Sequence, residues 1–158
     1  MLGRAEGVAC TEQWRRQKER VVFTNGCFDL LHLGHVRYLE KARSLGDRLV
    51  VAVNDDASVR RIKGPGRPVQ PAAERAEILA ALAAVDLVIL FEESDPLNII
   101  SELRPDILVK GTDWGKDRII GRDVVEASGG RVTQIDFEPG YSTTGLIETI
   151  QKHFCPPR

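Results

Sequence analysis

The sequence of 158 residues lacks the features that mark membrane, secreted and nucleic-acid-binding proteins. No apolar run approaches the roughly 20 residues that span a bilayer, and the first residues carry no apolar signal-peptide core. The 22 basic and 23 acidic residues nearly balance, which gives no general attraction to nucleic acid or to a membrane surface. We therefore expect a soluble protein that stays in the cytoplasm and builds any anion site from local groups.

Cysteine and histidine are also scarce, with three of each. The cysteines are far apart and form no Cys-x-x-Cys pair, which argues against a disulfide framework and favours a reducing compartment. Only His153 remains beside His32 and His35, so a zinc site would lack its usual four nitrogen and sulfur ligands. Two common phosphate-binding loops, G-x-x-x-x-G-K-[ST] and G-x-G-x-x-G, are missing as well.

What the sequence does contain is a regular alternation of short apolar runs and helical patterns. This alternation predicts right-handed βαβ units, and hence a Rossmann-like, three-layer αβα sandwich around a five-stranded parallel sheet. The five predicted strands are 20–24, 48–53, 87–91, 107–110 and 131–135. The predicted helices are 36–45, a short one after 54–58, 71–84, one from Pro96, 122–128 and one from Ser142.

The remaining segments fix the predicted domain organisation. Residues 1–18 are expected to form a loose arm or a short surface helix anchored by Trp14. A single catalytic domain is expected over 19–153, followed by a frayed tail over 154–158. Within the domain, the stretch 60–68 is basic and rich in glycine and proline, which predicts a loop.

The turn after the first strand carries the most informative motif, His32-Leu33-Gly34-His35. It falls at the start of a predicted helix, where unpaired N–H groups and the helix dipole attract phosphate. The two histidines lie three apart and therefore share one helix face, from which they would donate hydrogen bonds to the α- and β-phosphates of a nucleotide. Gly34 lets the backbone approach that nucleotide closely. The alternative is a surface histidine and a capping histidine beside a tight helix contact.

Other polar side chains follow strands and should converge with this motif, because ligands of parallel sheets bind beyond the carboxyl ends of the strands. The hydroxyls of Ser142, Thr143 and Thr144 open the last helix, either as ordinary N-caps or as the second half of a triphosphate clamp. Lys63 either is solvated or closes over the triphosphate. Lys110 ends the fourth strand and would hold an acceptor phosphate.

Four further residues have two readings each. Asn54 follows the second strand and faces the same crevice, or simply belongs to a turn. Asp113 binds sugar hydroxyls or caps a turn, and Trp114 stacks on a base or covers the loop. Arg75, in the first turn of its helix, is a phosphate ligand or one half of an ion pair.

The run 24–35, TNGCFDLLHLGH, resembles the opening of the nucleotidyltransferase domain of ADP-heptose synthases, within the cytidylyltransferase-like (HxGH) superfamily. The resemblance covers about 20–151 and continues at 63–69, 75, 85–86, 104–106, 109–111 and 140–144. It implies an adenylyltransferase that moves AMP from ATP, with Mg²⁺, to D-glycero-β-D-manno-heptose 1-phosphate. The sugar-phosphate oxygen would attack the α-phosphorus directly, giving ADP-heptose for lipopolysaccharide precursors and pyrophosphate.

The same resemblance assigns roles to individual residues. The ATP contacts it implies are Cys27, Phe28, His32, Gly34 and His35, with Ser142, Thr143 and Thr144 on the phosphates. His32, His35 and Lys63 are expected to be catalytic, and the expected substrate ligands are Asp29, Asn54, Lys110 and Asp113. Related glycerol-3-phosphate cytidylyltransferases have an arginine at the head of the final motif. The stretch 137–140 has none, which leaves Lys63 or Arg75 to supply that charge.

The resemblance further implies a homodimer that acts only on small molecules, in a stand-alone form without a fused sugar kinase. Three alternatives stay open. The chain is a cytidylyltransferase for glycerol phosphate or another alcohol phosphate, an adenylyltransferase like FAD synthase, or a nucleotide-sensing domain without turnover. The choice between ATP and CTP depends on backbone groups that a sequence does not display.

Overall fold

Five parallel strands form one sheet at the centre of the computed structural model, which describes residues 2–112 and 119–154. Their order across the sheet is β3-β2-β1-β4-β5. The strands are β1 Val21–Gly26, β2 Arg48–Asn54, β3 Leu87–Phe91, β4 Ile107–Gly111 and β5 Arg131–Ile135. The central strands are almost continuously apolar because both of their faces are covered. The predicted fold class is confirmed.

Seven helices cover the two faces of the sheet or extend from it in the described residues. They are α1 Arg4–Arg16, α2 Leu33–Arg43, α3 Asp56–Lys63, α4 Ala72–Ala80, α5 Leu97–Leu103, α6 Arg122–Ala127 and α7 Thr143–Phe154. Successive β1 side chains point to opposite faces, so Val22 belongs to the core beneath α2 and α4 while Val21 and Phe23 belong to the core beneath α1, α5 and α6. None of these helices has the length and apolar composition that a bilayer span requires.

The N-terminal segment is a helix of 13 residues rather than a loose arm. Its Gly7 packs directly on β3, where an added Cβ would lie 2.5 Å from Cδ1 of Ile89. Trp14 packs against the core on the same face, and Arg4 forms ion pairs with Glu93 and Glu102 at 2.7 and 2.8 Å. Of the two readings of this segment, the helix is therefore the one that the structure adopts.

The prediction of a loop over 60–68 is wrong for its first four residues. These residues complete α3, because Val59 is fully buried and ties the helix to the core. The basic side chains of its last turn lie near the negative end of the helix dipole, which stabilises the helix there. Gly64 then ends α3 with φ +88°, a conformation that favours glycine. The next helix, α4, is also shorter than predicted and ends at Ala80.

The sheet order fixes where a ligand binds. The chain leaves β1 toward β2 on one side and returns to β4 on the other, so the strand order reverses beside β1. Crevices form at such points, beyond the carboxyl ends of the strands. The His32–His35 motif follows β1 directly and is therefore brought to this crevice.

Candidate active site

A cleft of about 400 Å³ opens beyond the carboxyl ends of β1, β2 and β4. His35 from α2 and the two threonines that open α7, Thr143 and Thr144, share its lining. These residues are more than 100 positions apart in the chain, yet the fold brings both helix N-termini to one cavity. The geometry is that of a two-sided anion site, since each helix terminus presents N–H groups and partial positive charge.

The two histidines of the motif have different positions. His32 is the N-cap of α2, and its Nδ1 accepts a hydrogen bond from the His35 backbone N–H at 3.3 Å. Because Nδ1 is the acceptor, the proton of the neutral ring lies on Nε2. The His35 ring stacks on it with centroids 3.7 Å apart, and Phe28 contacts His35 edge-on at 5.2 Å. His32 is therefore the capping histidine of the motif, whereas His35 lines the cleft.

Burial keeps both imidazoles uncharged at neutral pH. It lowers the pKa of His32, and it lowers that of His35 from 6.5 to about 4. The neighbouring His32 adds to the shift at His35, and the Leu30 carbonyl opposes it. His35 Nδ1 is buried and has no hydrogen-bond partner among the residues that the structure describes. The motif therefore offers neutral N–H donors, and formal positive charge must come from other side chains.

Close packing joins the two helix N-termini. Tyr141, just before α7, lies with its ring 6.5 Å from that of His32. A Cβ added at Gly34 would lie 2.9 Å from the Tyr141 Cβ and 3.0 Å from His32 Nδ1, so only glycine fits there without movement. Ser142 caps α7 by accepting from the Gly145 N–H at 3.0 Å, and Thr143 Oγ1 donates to the Leu30 carbonyl at 3.5 Å.

A row of polar side chains crosses the ends of the three central strands. Lys110 on β4 donates from Nζ to Asn25 Oδ1 on β1, and both residues line the cleft. Asn54 at the end of β2 also lines it and donates from Nδ2 to Ser58 Oγ at 3.2 Å and, at 3.4 Å, to the Glu93 carbonyl. Asn54 and Lys110, which were predicted to converge because they end strands, therefore line the same cavity as His35.

Asp29 lines the cleft, but its carboxylate is already engaged. Arg67 Nε approaches it at 2.5 Å, and the backbone N–H groups of Val69 and Gln70 donate to it at 2.9 and 3.0 Å. Burial would raise the pKa of Asp29, but hydrogen bonds from Gln70, Val69 and Arg67 outweigh burial and lower it. Asp29 thus holds the loop after α3 against the turn that follows β1 and leads into the His32–His35 motif. Lys63, the last residue of α3, lines the cleft beside this loop.

Arg75 lies behind the cleft wall rather than in it. Only 1% of it is exposed, and its guanidinium donates to the carbonyls of Gln70, Cys27 and Asn54. It also pairs with Asp56 at 2.8 Å. Of the two interpretations of Arg75, the structure therefore agrees with the ion pair. Lys63 and Arg75 were both candidates for the charge that related enzymes supply with an arginine, and of these two Lys63 lines the cleft.

Cys27 lines the cleft as a protonated thiol. Burial raises its pKa, although Lys63, Arg75 and Arg67 partly oppose that shift. The thiol is therefore a poor nucleophile at neutral pH.

Several lining residues were not predicted. Ser94 and Asp95 follow β3, and the strand-end rule that found Asn54 would have found them too. Arg67, by contrast, gives no such signal, because it lies in a loop far from any strand end. An apolar wall of Ile119, Ile120 and Phe137 closes the β4–β5 side. Asp113 and Trp114 lie outside the described residues.

Residues 23–148 match the family described as cytidylyltransferase-like. The chain belongs to the cytidylyltransferase-like family. The family predicted from the 24–35 run and its continuation is thereby confirmed.

Full-length relatives of this cytidylyltransferase-like chain are considerably longer. It is 52% identical over 151 residues to "Bifunctional protein HldE" of Pseudomonas syringae pv. syringae (strain B728a), covering 96% of this chain and 32% of that protein. With "Bifunctional protein HldE" of Magnetococcus marinus (strain ATCC BAA-1437 / JCM 17883 / MC-1) the identity is 58% over 138 residues, covering 87% and 28%. The chain thus spans about a third of the length of these curated relatives.

Among solved structures, the fold resembles the lipopolysaccharide core biosynthesis protein from Thermoplasma volcanium GSS1. The two are 33% identical with a TM-score of 0.63, and the match covers 76% of this chain and 97% of that one.

Proposed function

We propose that this chain transfers AMP from ATP to D-glycero-β-D-manno-heptose 1-phosphate, giving ADP-heptose and pyrophosphate. The observation that carries the proposal is the meeting of two helix N-termini, those of α2 and α7, at one cleft lined by His35, Thr143 and Thr144. Similarity to HldE proteins over nearly the whole chain supports the choice of substrates. The catalytic unit in this proposal is the segment 19–153, and the site of action is the cytoplasm.

The proposed reaction is one in-line displacement. An oxygen of the sugar phosphate attacks the α-phosphorus of ATP, the bond from that phosphorus to the β-phosphate oxygen breaks, and pyrophosphate leaves without a covalent enzyme intermediate. Such a transition state requires positioning and stabilisation of charge on the phosphoryl oxygens. Here the neutral imidazoles of His32 and His35 and the two helix termini would donate hydrogen bonds, while Lys63 would supply positive charge.

We assign the acceptor to the β2–β3 side of the cleft and the nucleotide base to the β4–β5 side. Asn54, Ser94 and Asp95 offer hydrogen-bonding groups suited to the hydroxyls of a sugar. Lys110, at the end of β4 and next to β1, would extend toward the middle of the cleft to hold the sugar's phosphate. The wall formed by Ile119, Ile120 and Phe137 suits the flat apolar face of a base. Asp29 and Arg75 would act indirectly, by fixing the loop and turn that carry Arg67 and Cys27.

Mg²⁺ would enter with ATP and neutralise charge on the triphosphate and the departing pyrophosphate. The ligands we propose for it are phosphate oxygens. This fits the donor set, since Asp29 is engaged by Arg67 and by loop N–H groups. Within residues 2–112 and 119–154, moreover, no three histidine, cysteine or acidic side chains cluster as a metal site.

Pyrophosphate release tests the proposal. ATP and CTP are each paired with heptose 1-phosphate, glycerol 3-phosphate and FMN, and we expect turnover with ATP and the heptose phosphate. Faster turnover of CTP with glycerol phosphate, or of ATP with FMN, would replace our assignment with one of the alternative transferases. Calorimetric binding of ATP without pyrophosphate from any pair would identify a nucleotide sensor instead.

A further inference from the structure

The loop that follows β3, residues 92–96, is held by an arginine that the site described above does not include. Arg61, in the last turn of α3, donates from Nε to Ser94 Oγ at 3.0 Å and from Nη2 to the Glu92 carbonyl at 2.8 Å. Ser94 lines the cleft, whereas Arg61 is not among the residues that line it. Arg61 therefore reaches the cleft through the groups that it holds.

A second arginine fixes the same loop from α1. Arg4 donates from Nη1 to Glu93 Oε1 at 2.7 Å, and its Nε and Nη2 donate to the carboxylate of Glu102 on α5 at 2.8 and 2.9 Å. The hydrogen bond from Arg4 is the main cause that lowers the pKa of Glu93, so the pair is ionised at neutral pH. The Glu93 carbonyl also accepts from Asn54 at the end of β2. The middle of the loop is thus anchored without Arg61, and loss of Arg61 should loosen Ser94 without unfolding the protein.

The contact with Arg61 decides how the Ser94 hydroxyl can act. A guanidinium has donors and no acceptor, so Ser94 Oγ accepts here and its own proton must point to another group. In the described part of the chain, no hydrogen bond from this hydroxyl to a protein acceptor is found. Because Ser94 lines the cleft, its proton is available to an acceptor atom of a ligand there.

The next residue, Asp95, presents the complementary group. Its Oδ1 accepts from the Leu97 N–H at 2.9 Å, and its Oδ2 has no hydrogen-bond partner within residues 2–112 and 119–154. Asp95 is exposed and lines the cleft beside Ser94. A carboxylate only accepts hydrogen bonds, so the two side chains place one donor next to one anionic acceptor. Sugar hydroxyls both donate and accept and therefore suit this pair, whereas a phosphate would be repelled by Asp95.

We propose that Arg61 is a positioning residue that fixes Ser94, so that Ser94 and Asp95 together bind hydroxyls of the acceptor sugar. The acceptor's phosphate then lies away from this loop, toward Lys110 and the two helix N-termini. The part of this inference that concerns the acceptor rests on the proposed transferase function. The part that concerns the hold of Arg61 on the loop does not depend on it.

The positioning role is tested by a split between two Michaelis constants. Arg61→Met and Ser94→Ala should each raise the KM for heptose 1-phosphate about threefold to tenfold, the scale of one neutral hydrogen bond, and leave the KM for ATP unchanged. Arg60→Met is the matched control, since Arg60 is an exposed neighbour on α3, and it should change neither constant. An unchanged KM for the heptose phosphate in Arg61→Met, or an equal rise for ATP, overturns the role.

The route through Ser94 is tested by combining the two changes. If Arg61 acts by fixing Ser94, the double variant Arg61→Met with Ser94→Ala should raise the KM for the heptose phosphate hardly more than either change alone. Effects that multiply in the double variant would show that the two residues act independently, and would overturn this route.

The choice of hydroxyls as the ligand is tested with monodeoxy analogues of heptose 1-phosphate, each lacking one hydroxyl. The unaltered chain should turn over at least one of them about tenfold less efficiently, because a polar group of the site is then left without its partner. Asp95→Asn keeps an oxygen for the Leu97 N–H but replaces the other oxygen by a donor. In Asp95→Asn or in Ser94→Ala this penalty should disappear. No penalty with any analogue, or the same penalty in both variants, overturns the assignment.

Hydrogen exchange tests the loop without reference to turnover. Backbone amides of residues 92–95 should exchange faster in Arg61→Met than in the unaltered chain or in Arg60→Met, while circular dichroism shows that all three are folded. Equal exchange in the three chains would mean that Arg61 does not hold the loop. If no chain releases pyrophosphate with any acceptor, the proposed function fails, and exchange still decides the hold of Arg61. If the unaltered chain is active and the variants keep its constants, this inference fails alone.

Discussion

The two helix N-termini that meet at the cleft are supported in different ways. The turn before α2 is held by the buried carboxylate of Asp29 and by Arg75, which donates to the Cys27 carbonyl. The start of α7 is held by the Ser142 cap, by the contact of Thr143 with Leu30, and by Tyr141, which packs on His32. The α2 side of the cleft is therefore held by more buried polar contacts than the α7 side.

The largest effect is expected from removing the buried charge behind the α2 half. Arg75→Met leaves the Asp56 carboxylate and three backbone carbonyls without their donor. Because the Asp56 side chain is 35% exposed, most of the loss should come from the carbonyls left without a donor, at about 1–3 kcal/mol each, and urea unfolding should show it. Arg60→Met, an exposed change on α3, should stay within about 0.5 kcal/mol of the unaltered chain. If Arg75→Met were as stable as Arg60→Met, the buried contacts of Arg75 would not hold the α2 side of the cleft, and its contrast with the α7 side would be lost.

Loss of the His35 side chain should affect turnover more than folding. His35→Ala removes one preorganised donor from the cleft, which costs about 10²–10³ in kcat. Steady-state pyrophosphate release measures this loss, and His153→Ala, at the exposed end of α7, is the control. Retention of normal kcat in His35→Ala would dismiss this imidazole from the mechanism.

The buried imidazole also predicts how stability depends on pH. Since the pKa of His35 is about 4 in the folded chain and 6.5 ordinarily, the unfolded chain binds an extra proton between these values. Stability from this group is therefore complete above pH 6.5 and is lost as the pH falls toward 4.

Urea unfolding at about pH 7.5 and about pH 5 should reveal a loss of about 2 kcal/mol from this residue. Because Asp29 has a lowered pKa, below 3.8, its contribution is lost only at more acidic pH. His35→Gln should lose less stability over the same interval. If both chains lose the same amount, the imidazole is not buried as described.

A further effect, comparable to that of His35 on stability, is expected where the two helix N-termini touch. Gly34→Ala introduces a Cβ 2.9 Å from that of Tyr141, so the start of α7 must move away from α2. We expect a cost of about 1–3 kcal/mol in unfolding free energy and a raised KM for ATP, because Thr143 and Thr144 move with α7. Gly129→Ala, where nothing lies within 4 Å of an added Cβ but φ is +84°, controls for the loss of a glycine. An unchanged KM in Gly34→Ala would contradict close packing at this junction.

The sequence predicts β1 to β4 well because these strands are mostly buried on both faces and therefore appear as apolar runs. It predicts α1 and the end of α3 poorly, because most of their residues are polar and only a few, such as Gly7 and Val59, contact the core. So few apolar positions give no clear helical pattern. In the site, the strand-end rule finds Asn54 and Lys110. It cannot tell that Arg75 turns inward or that Asp29 is engaged by a loop forty residues away, since both are long-range contacts.

The segment between α3 and α4 is held at its two ends, by the last turn of α3 and by Asp29, and has few contacts between them. Asp29 fastens the far end through Arg67, Val69 and Gln70, while Gly64 and Gly66 have open space where a side chain would begin. The few positions between these anchors therefore form a strap whose length and composition are adjustable without disturbing the cores. Because Lys63 and Arg67 on either side of this strap line the cleft, a change in its length should alter the shape of the cleft while both cores stay intact.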